Sequence, residues 1–130
     1  MKINMTDTMV KLLRDKQLSD KTLLLITDDG GGKYSLQGGA CSIGAKFSLI
    51  ILDQSDPDYA IPLTNDANVA LYTSAYDLNF LGDGLTMDYR NYSISLKDNS
   101  GLLDGSVRIA KGADVLAAFK KGITVSGATC

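Results

Sequence analysis

The chain has 130 residues, with 13 basic and 15 acidic side chains and a formal net charge of −2. Its length fits one domain, and its 45% apolar and 22% charged composition excludes the disordered and fibrous classes. Because the basic residues are scattered and the net charge is negative, we expect no nucleic-acid partner. Histidine is absent and every acidic residue is an aspartate, so the usual side chain for proton transfer at neutral pH is missing.

The first predicted element is a helix near residues 6–16. Thr6 is a favourable N-cap, and Met9 and Leu13 recur at helical spacing. The residues before this helix lack the apolar core of a signal peptide, and no apolar run approaches the roughly 18 residues of a membrane span. We therefore expect a cytoplasmic protein without a membrane segment.

Several strands follow the first helix. Residues 22–27 form a continuous Leu/Ile run that predicts a buried strand, and the aspartates and glycines of 28–32 predict a loop after it. Residues 59–63 stay ambiguous, because Pro62 lacks an amide donor and fits only an edge strand or a loop. The remaining predicted elements of this half are strands over 33–37, 46–52 and 69–74 and a helical turn over 75–81.

The second half of the chain predicts a hairpin and a last helix. Residues 85–89 and 92–96 both alternate with period two and are separated by only Arg90-Asn91. A strand over 106–109 and a helix over 113–120, stopped by Gly122, complete the pattern. This order predicts an α+β fold, a mainly antiparallel β-sheet with an N-terminal and a C-terminal helix. We expect one domain over 1–130, with 123–130 as a flexible tail.

The two thiols of the chain are Cys41 and Cys130. Cytoplasmic thiols are kept reduced, so no disulfide is predicted. Glycines at 38, 39 and 44 allow the backbone around Cys41 to turn tightly and expose its thiol. The alternative interpretations are a small buried residue for Cys41 and a free terminal thiol for Cys130.

Three other patterns favour structural roles. The aspartates at 28, 29, 53, 56 and 58 lack the spacing of a Ca²⁺ loop and are more typical of strand ends and turns. Gly30-Gly31-Gly32-Lys33 lacks the spacing of a phosphate-binding loop. The tyrosines at 76, 89 and 92 are interpreted as half-buried sheet residues and alternatively as a ligand-contact surface.

Three segments resemble, in the same order, landmarks of the HesB-like, or A-type, iron–sulfur carriers. They are Ile3-Asn4-Met5-Thr6-Asp7, Gly39-Ala40-Cys41-Ser42 and the run Leu81-Gly82-Asp83-Gly84-Leu85-Thr86-Met87-Asp88-Tyr89. The resemblance covers residues 1 to about 109 and implies an N-terminal helix before a compact β-rich domain. That family carries a second landmark, a Cys-Gly-Cys pair after an Asn-rich turn. Residues 98–106 occupy its place here and contain no thiol.

The resemblance implies a non-catalytic iron–sulfur cluster biosynthesis protein, either a carrier or an accessory. The resemblance carries over only Cys41, as the expected cofactor-binding residue. Cys130, the only other thiol, is the second expected metal ligand beside Cys41 for iron or an iron–sulfur cluster. Clusters are commonly held by four thiolates, and each chain has two. A homodimer would therefore have to supply two thiolates from each chain. Iron–sulfur assembly proteins are the expected partners.

Two other functions stay open at this stage. The first is a metal-free protein-interaction or regulatory module that retains the carrier scaffold. The second is an enzyme with Cys41 as a nucleophile activated by Lys33, Lys46 or a helix N-terminus. Without a histidine base the enzyme is the least favoured, and we predict a protein that is not an enzyme.

Overall fold

Eight strands and three short helices make up the part of the chain that the structure, a computed structural model, describes: residues 1–28, 33–34 and 47–120. The helices are α1 (Asp7–Asp15), α2 (Ala75–Leu78) and α3 (Gly112–Lys120). The strands are β1 (Asn4–Met5), β2 (Thr22–Thr27), β3 (Phe47–Leu52), β4 (Ile61–Pro62), β5 (Ala70–Thr73), β6 (Thr86–Arg90), β7 (Ser93–Asp98) and β8 (Gly101–Lys111).

The strands form one mixed sheet in the order β1-β6-β7-β8-β3-β2-β5-β4. Four of the seven pairings between described strands are antiparallel, and β1–β6, β2–β5 and β3–β8 are parallel. The predicted α+β class is thus confirmed, whereas a mainly antiparallel sheet is correct only in part. Parallel neighbours are far apart in sequence and need crossover connections, so no local pattern predicts them.

Strand β8 belongs to both halves of the sheet. Its first part pairs with β7, and from Arg108 onward it pairs with β3. The register with β7 shifts near Leu96, opposite Asp104, which is the signature of a bulged strand. Sequence patterning predicted only 106–109 as a strand here, because Gly101 and Gly105 interrupt the alternation. Residues 98–106, expected to form a turn, therefore lie largely in β8.

The first residues of the chain join the two outermost strands of the sheet. Lys2 bridges in parallel to Thr64, just after β4, while β1 pairs with β6. The amide of Ile3 donates to the Thr64 carbonyl over 2.8 Å, and the Thr64 amide donates to the Met1 carbonyl over 3.0 Å. Backbone groups beside the edge strand β4 are therefore hydrogen-bonded to the residues that precede the other edge strand, β1. Such pairing reduces the exposed strand edge that could template aggregation.

The central strands are buried on both faces. Leu23 and Leu25 of β2 belong to the main core, whereas Leu24 and Ile26 belong to a smaller cluster on the opposite face. Tyr34 and residues of β3 complete that second cluster, and Leu116 of α3 packs against it. A continuous apolar run is the expected sequence of a strand covered on two sides, and the predicted strand over 22–27 is confirmed.

Helix α1 covers one end of the main core through Met9 and Leu13. Thr6 is its N-cap, and the Thr6 hydroxyl also donates to Asp88 Oδ1 of β6 over 2.6 Å. That hydrogen bond holds the pKa of the Asp88 carboxyl below its usual value. A helix of this length is marginal alone, so the cap and the buried face fix it. Of the described helices, none is long and apolar enough to cross a membrane.

The predicted hairpin is confirmed, with its turn displaced by one residue. Strands β6 and β7 pair from Thr86↔Lys97 to Arg90↔Ser93, so the turn residues are Asn91 and Tyr92. Both have positive φ, 53° and 63°. Tyr89 is half-buried in β6 as predicted, but Tyr76 lies in α2 and Tyr92 in the turn, both exposed.

Candidate functional site

The predicted ligands Cys41 and Cys130 lie outside the described residues, as do 35–37 of the strand predicted over 33–37. We call residues 28–46, between β2 and β3, the Cys41 segment. The candidate site is defined by the described residues at and within its ends: the end of β2, the start of β3, and the residue pair Lys33-Tyr34. Lys33 and Tyr34 form a turn. We call the buried carboxylates of Asp28, Asp77 and Asp104 near the two strand ends the aspartate collar.

Asp77 holds the strand end at which the Cys41 segment begins. Its Oδ1 accepts the backbone amide of Thr27 over 2.8 Å, and its Oδ2 accepts the Ser74 hydroxyl over 2.5 Å. Ser74 is the N-cap of α2 and accepts in turn from the Asp77 amide. Asp77 is only 4% exposed. Through these hydrogen bonds its carboxylate connects the N-cap of α2 to the end of β2.

Asp104 holds the strand end at which the Cys41 segment returns. Its Oδ2 accepts the backbone amide of Phe47 over 2.9 Å, and its Oδ1 accepts the amide of Ser106 over 2.8 Å. Asp104 is 7% exposed and lies on β8, within residues 98–106, where the resemblance leads us to expect the family's Cys-Gly-Cys pair. Each oxygen of this side chain thus already accepts a backbone hydrogen bond.

The two strand ends are also linked to each other. The Ser48 hydroxyl, fully buried, donates to Asp28 Oδ2 over 3.3 Å. Asp28 itself is 5% exposed. Buried carboxylates are costly unless hydrogen-bonded, so these contacts explain why the collar is tolerated. They also fix the separation of the two chain ends that enclose the Cys41 segment.

Lys33 and Tyr34 anchor the first part of that segment to the loop before β4. The Lys33 Nζ atom lies 2.7 Å from Asp56 Oδ2 and 3.0 Å from Asp58 Oδ2, and the Tyr34 hydroxyl donates to Asp56 Oδ2 over 2.7 Å. The Tyr34 and Tyr59 rings meet edge to face, with centroids 5.5 Å apart. We call this group, Lys33, Tyr34, Asp56, Asp58 and Tyr59, the Lys33 clamp.

The clamp shifts the ionisation of its members. The hydrogen bond to Asp56 raises the pKa of Lys33 above its ordinary range. Burial raises the pKa of Tyr34 to about 12, and the hydrogen bond to Asp56 adds to the effect. Burial acts to raise the pKa of Asp56, but hydrogen bonds from Lys33 and Tyr34 outweigh it and lower the pKa. The clamp is therefore charged and hydrogen-bonded at neutral pH.

The start of α3 packs directly on the clamp. A methyl group on Gly112 would lie 2.7 Å from Leu52 Cδ2 and 3.1 Å from Tyr34 Cε1. Tyr34 precedes Cys41 by seven residues, and α3 ends ten residues before Cys130. The two cysteine-bearing segments are thus continuous with elements that pack on the same face of the sheet.

The described residues contain no group of three His, Cys, Asp or Glu side chains placed to hold a metal ion. Asp56 and Asp58, weighed above as cation ligands, instead pair with Lys33. Both carboxylates neutralise the Lys33 ammonium. Lys46 and the glycines of 30–32 lie outside the described residues.

Sequence reasoning missed Asp77 and Asp104 as structural residues of the site. The Ser74-x-x-Asp77 spacing is that of a capping box and was the one local signal available. The hydrogen bonds from Thr27 and Phe47 span 50 and 57 residues, and no spacing rule reaches that far.

Comparison with known proteins defines the class. The family model of iron–sulphur cluster biosynthesis matches residues 1–111, and the chain belongs to that family, which confirms the HesB-like resemblance. A structural match is the "putative Fe-S biosynthesis protein" of Lactobacillus acidophilus, at 46% identity and a TM-score of 0.82, covering 94% of this chain and 99% of that one. The protein of the same description from Lactobacillus salivarius, said to have a novel fold, matches at 25% identity and a TM-score of 0.68, covering 85% and 98%. No curated protein matches the sequence.

Proposed function

We propose that this chain is a non-catalytic, cytoplasmic protein of iron–sulfur cluster biosynthesis, in which Cys41 supplies the family-type thiolate. The observation that carries the proposal is the anchoring of the Cys41 segment on the family's sheet. Asp77 and Asp104 hold the strand ends on either side of it, and the Lys33 clamp holds it near its start. An anchored glycine-rich segment can present a thiol in a defined place without a large protein cavity.

The donor set limits what one chain can carry. Iron–sulfur clusters are commonly held by four thiolates, and this chain has two cysteines. Asp104 is a poor replacement ligand, because both of its oxygens accept backbone amides. A single chain therefore does not fit a closed cluster site. A cluster cargo would be shared between two chains or with ligands of an assembly partner.

Cys130 is the proposed second ligand. The ten residues from the end of α3 can span at most about 35 Å when extended, which is ample reach across a domain of this size. Because Tyr34 and α3 pack against each other, both cysteine-bearing segments start from one face. In a homodimer, two such pairs would supply four sulfurs.

Anaerobic reconstitution with ferrous iron and sulfide tests the proposal. We expect the wild type to show cluster absorption with no more than one four-thiolate cluster per pair of chains, since each chain has two cysteines. Cys41→Ser should abolish the absorption. Cys130→Ser should reduce it, or should show it only when a thiol is added as an external ligand. A Cys41→Ser protein with the wild-type spectrum would overturn the assignment of Cys41.

A metal-free interaction module is the second candidate function. It is favoured by the hydrogen bonds of Asp104, which lies where the family's Cys-Gly-Cys pair is expected. Both of its carboxylate oxygens accept backbone amides and are therefore not free to bind a metal. This alternative expects cluster-free spectra for the wild type and Cys41→Ser alike. It also expects iron–sulfur assembly proteins to be retained equally by both, whereas a carrier should lose partners that accept its cargo.

A further inference from the structure

A second surface lies between α1 and the β6–β7 turn. Two adjoining cavities of about 560 Å³ and 440 Å³ meet there, and both are lined by Leu12, Tyr89 and Tyr92. We call their combined surface the α1–hairpin groove. None of its lining residues belongs to the aspartate collar or the Lys33 clamp. The groove can therefore bind a partner without touching the proposed cluster site.

Tyr92 is the unusual residue of this groove. It is 96% exposed and occupies the second position of a two-residue hairpin turn, with φ of 63°. That position favours glycine, and a bulky side chain there is strained. Among the described residues nothing offsets the strain, since the ring buries almost no surface against them. Strain that the fold does not need points to a contact made outside the chain.

The floor of the groove is apolar. Leu12 and Tyr89 are partly buried against the main core, and so is Ile109 at its far end. Ile94 and Val107 beneath them are buried. An exposed aromatic beside a partly buried aliphatic floor is the usual composition of an interface anchor.

The rim of the groove is basic. Lys11, Lys16 and Arg90 line it against one carboxylate, Asp15, a net charge of +2 on a chain whose total is −2. Lys11 pairs with Asp15 over 3.0 Å, and Arg90 Nη2 lies 3.6 Å from Asp88 Oδ2. Lys16 makes no ion pair with any described residue and is therefore the rim cation most available to a partner. The remainder of the chain is correspondingly acidic, which disfavours a long phosphate backbone.

We propose that the α1–hairpin groove docks an acidic peptide segment of a protein partner. An apolar side chain of that segment packs on Tyr92 and Leu12, and its carboxylates face Lys16 and Arg90. The charge complementarity selects an acidic occupant, and the exposed ring supplies the apolar anchor. This inference goes beyond the proposed function and does not depend on Cys41.

Selection from a phage-displayed library of random twelve-residue peptides on the full chain tests the occupant's chemistry. We expect the enriched peptides to be rich in Asp and Glu with an aromatic or aliphatic residue. Bound to ¹⁵N-labelled protein, the best peptide should shift the amides of 8–16 and 89–94 and should weaken as salt is raised. Enrichment of basic or neutral peptides, or shifts elsewhere, would overturn the proposal.

Matched variants separate docking from folding. Tyr92→Gly should weaken peptide binding at least tenfold while its melting temperature is no lower than that of the wild type. Lys16→Glu should also weaken binding, whereas Lys97→Glu, an equal charge change at an exposed position outside the groove, should not. Equal binding by wild type and Tyr92→Gly would overturn the proposal. So would occupation of the groove by a single-stranded oligonucleotide or by a second copy of the chain.

Discussion

The Asp104 carboxylate accepts a 2.9 Å hydrogen bond from the backbone amide of Phe47, 57 residues away in the chain. The contact joins β8 to the first residue of β3, where the Cys41 segment rejoins the sheet. It also uses an oxygen that would otherwise be available to a metal. Asp104 is therefore part of the scaffold.

Replacing Asp104 should destabilise the protein. Asp104→Ala leaves the amides of Phe47 and Ser106 without their acceptor and should lower the free energy of unfolding by about 1–3 kcal/mol. Asp104→Asn keeps one acceptor oxygen and should cost less. Urea unfolding measures both, with the exposed Asp20→Ala as the control. Equal stability of Asp104→Ala and the control would contradict the anchoring role.

The Lys33 clamp predicts a loss of stability at high pH. The pKa of Tyr34 is raised from 10.0 to about 12 in the folded state. Between these values the unfolded chain releases a proton that the folded chain keeps, so stability falls as pH rises from 10 toward 12. The full shift corresponds to up to about 3 kcal/mol.

Tyr34→Phe isolates this effect. The variant should be less stable by about 1 kcal/mol at neutral pH, since the hydrogen bond to Asp56 is lost, but its stability should fall less steeply above pH 10. Urea unfolding at several pH values measures the slope. Tyr92→Phe, at an exposed tyrosine, should keep the wild-type slope. Parallel curves for Tyr34→Phe and the wild type would show that the clamp does not retain the Tyr34 proton.

The packing of α3 on the clamp predicts that Gly112 cannot be enlarged without cost. A Cβ atom there would meet Leu52 at 2.7 Å and Tyr34 at 3.1 Å, both buried. Gly112→Ala should lower the free energy of unfolding by about 1–3 kcal/mol despite the better helix propensity of alanine. Gly105→Ala meets only Leu102, at 3.7 Å, and should be nearly neutral. Similar thermal melts for the two variants would contradict this packing.

Tyr92→Gly should stabilise the protein. Glycine adopts the positive φ of this turn position without strain, and the exposed ring loses no burial, so we expect a gain of about 1 kcal/mol. Asn91→Gly should gain less, because asparagine already tolerates a positive φ. Chemical denaturation compares the two. A destabilised Tyr92→Gly would mean that the ring supports the fold.

The sequence predicted what depends on neighbouring residues. Thr6 followed by apolar residues at helical spacing indicated a helix near 6–16, and α1 spans Asp7–Asp15. The hairpin of β6 and β7 and the buried strand β2 were predicted in the same way. The family resemblance then supplied the class, through short motifs in the right order.

The remaining features depend on residues that only the fold brings together. The parallel pairing of β3 with β8 and the hydrogen bonds of Asp77 and Asp104 join positions about 50–60 apart in sequence. Most of β8 was not predicted, because Gly105 interrupts the alternating pattern and a glycine there indicates the end of a strand. Bulged strands nevertheless accept glycine. The exposure of Tyr92 followed from a turn displaced by one residue.

Strand β8 has a further consequence for how the molecule opens. Because one continuous strand pairs with β7 at its start and with β3 at its end, neither half of the sheet can separate without releasing the other. Its backbone amides in the pairing with β3 should be among the slowest to exchange with deuterium, opening only in global unfolding. Because the pairing of β3 with β8 joins residues about 60 apart in sequence, the chain should also refold slowly for its size.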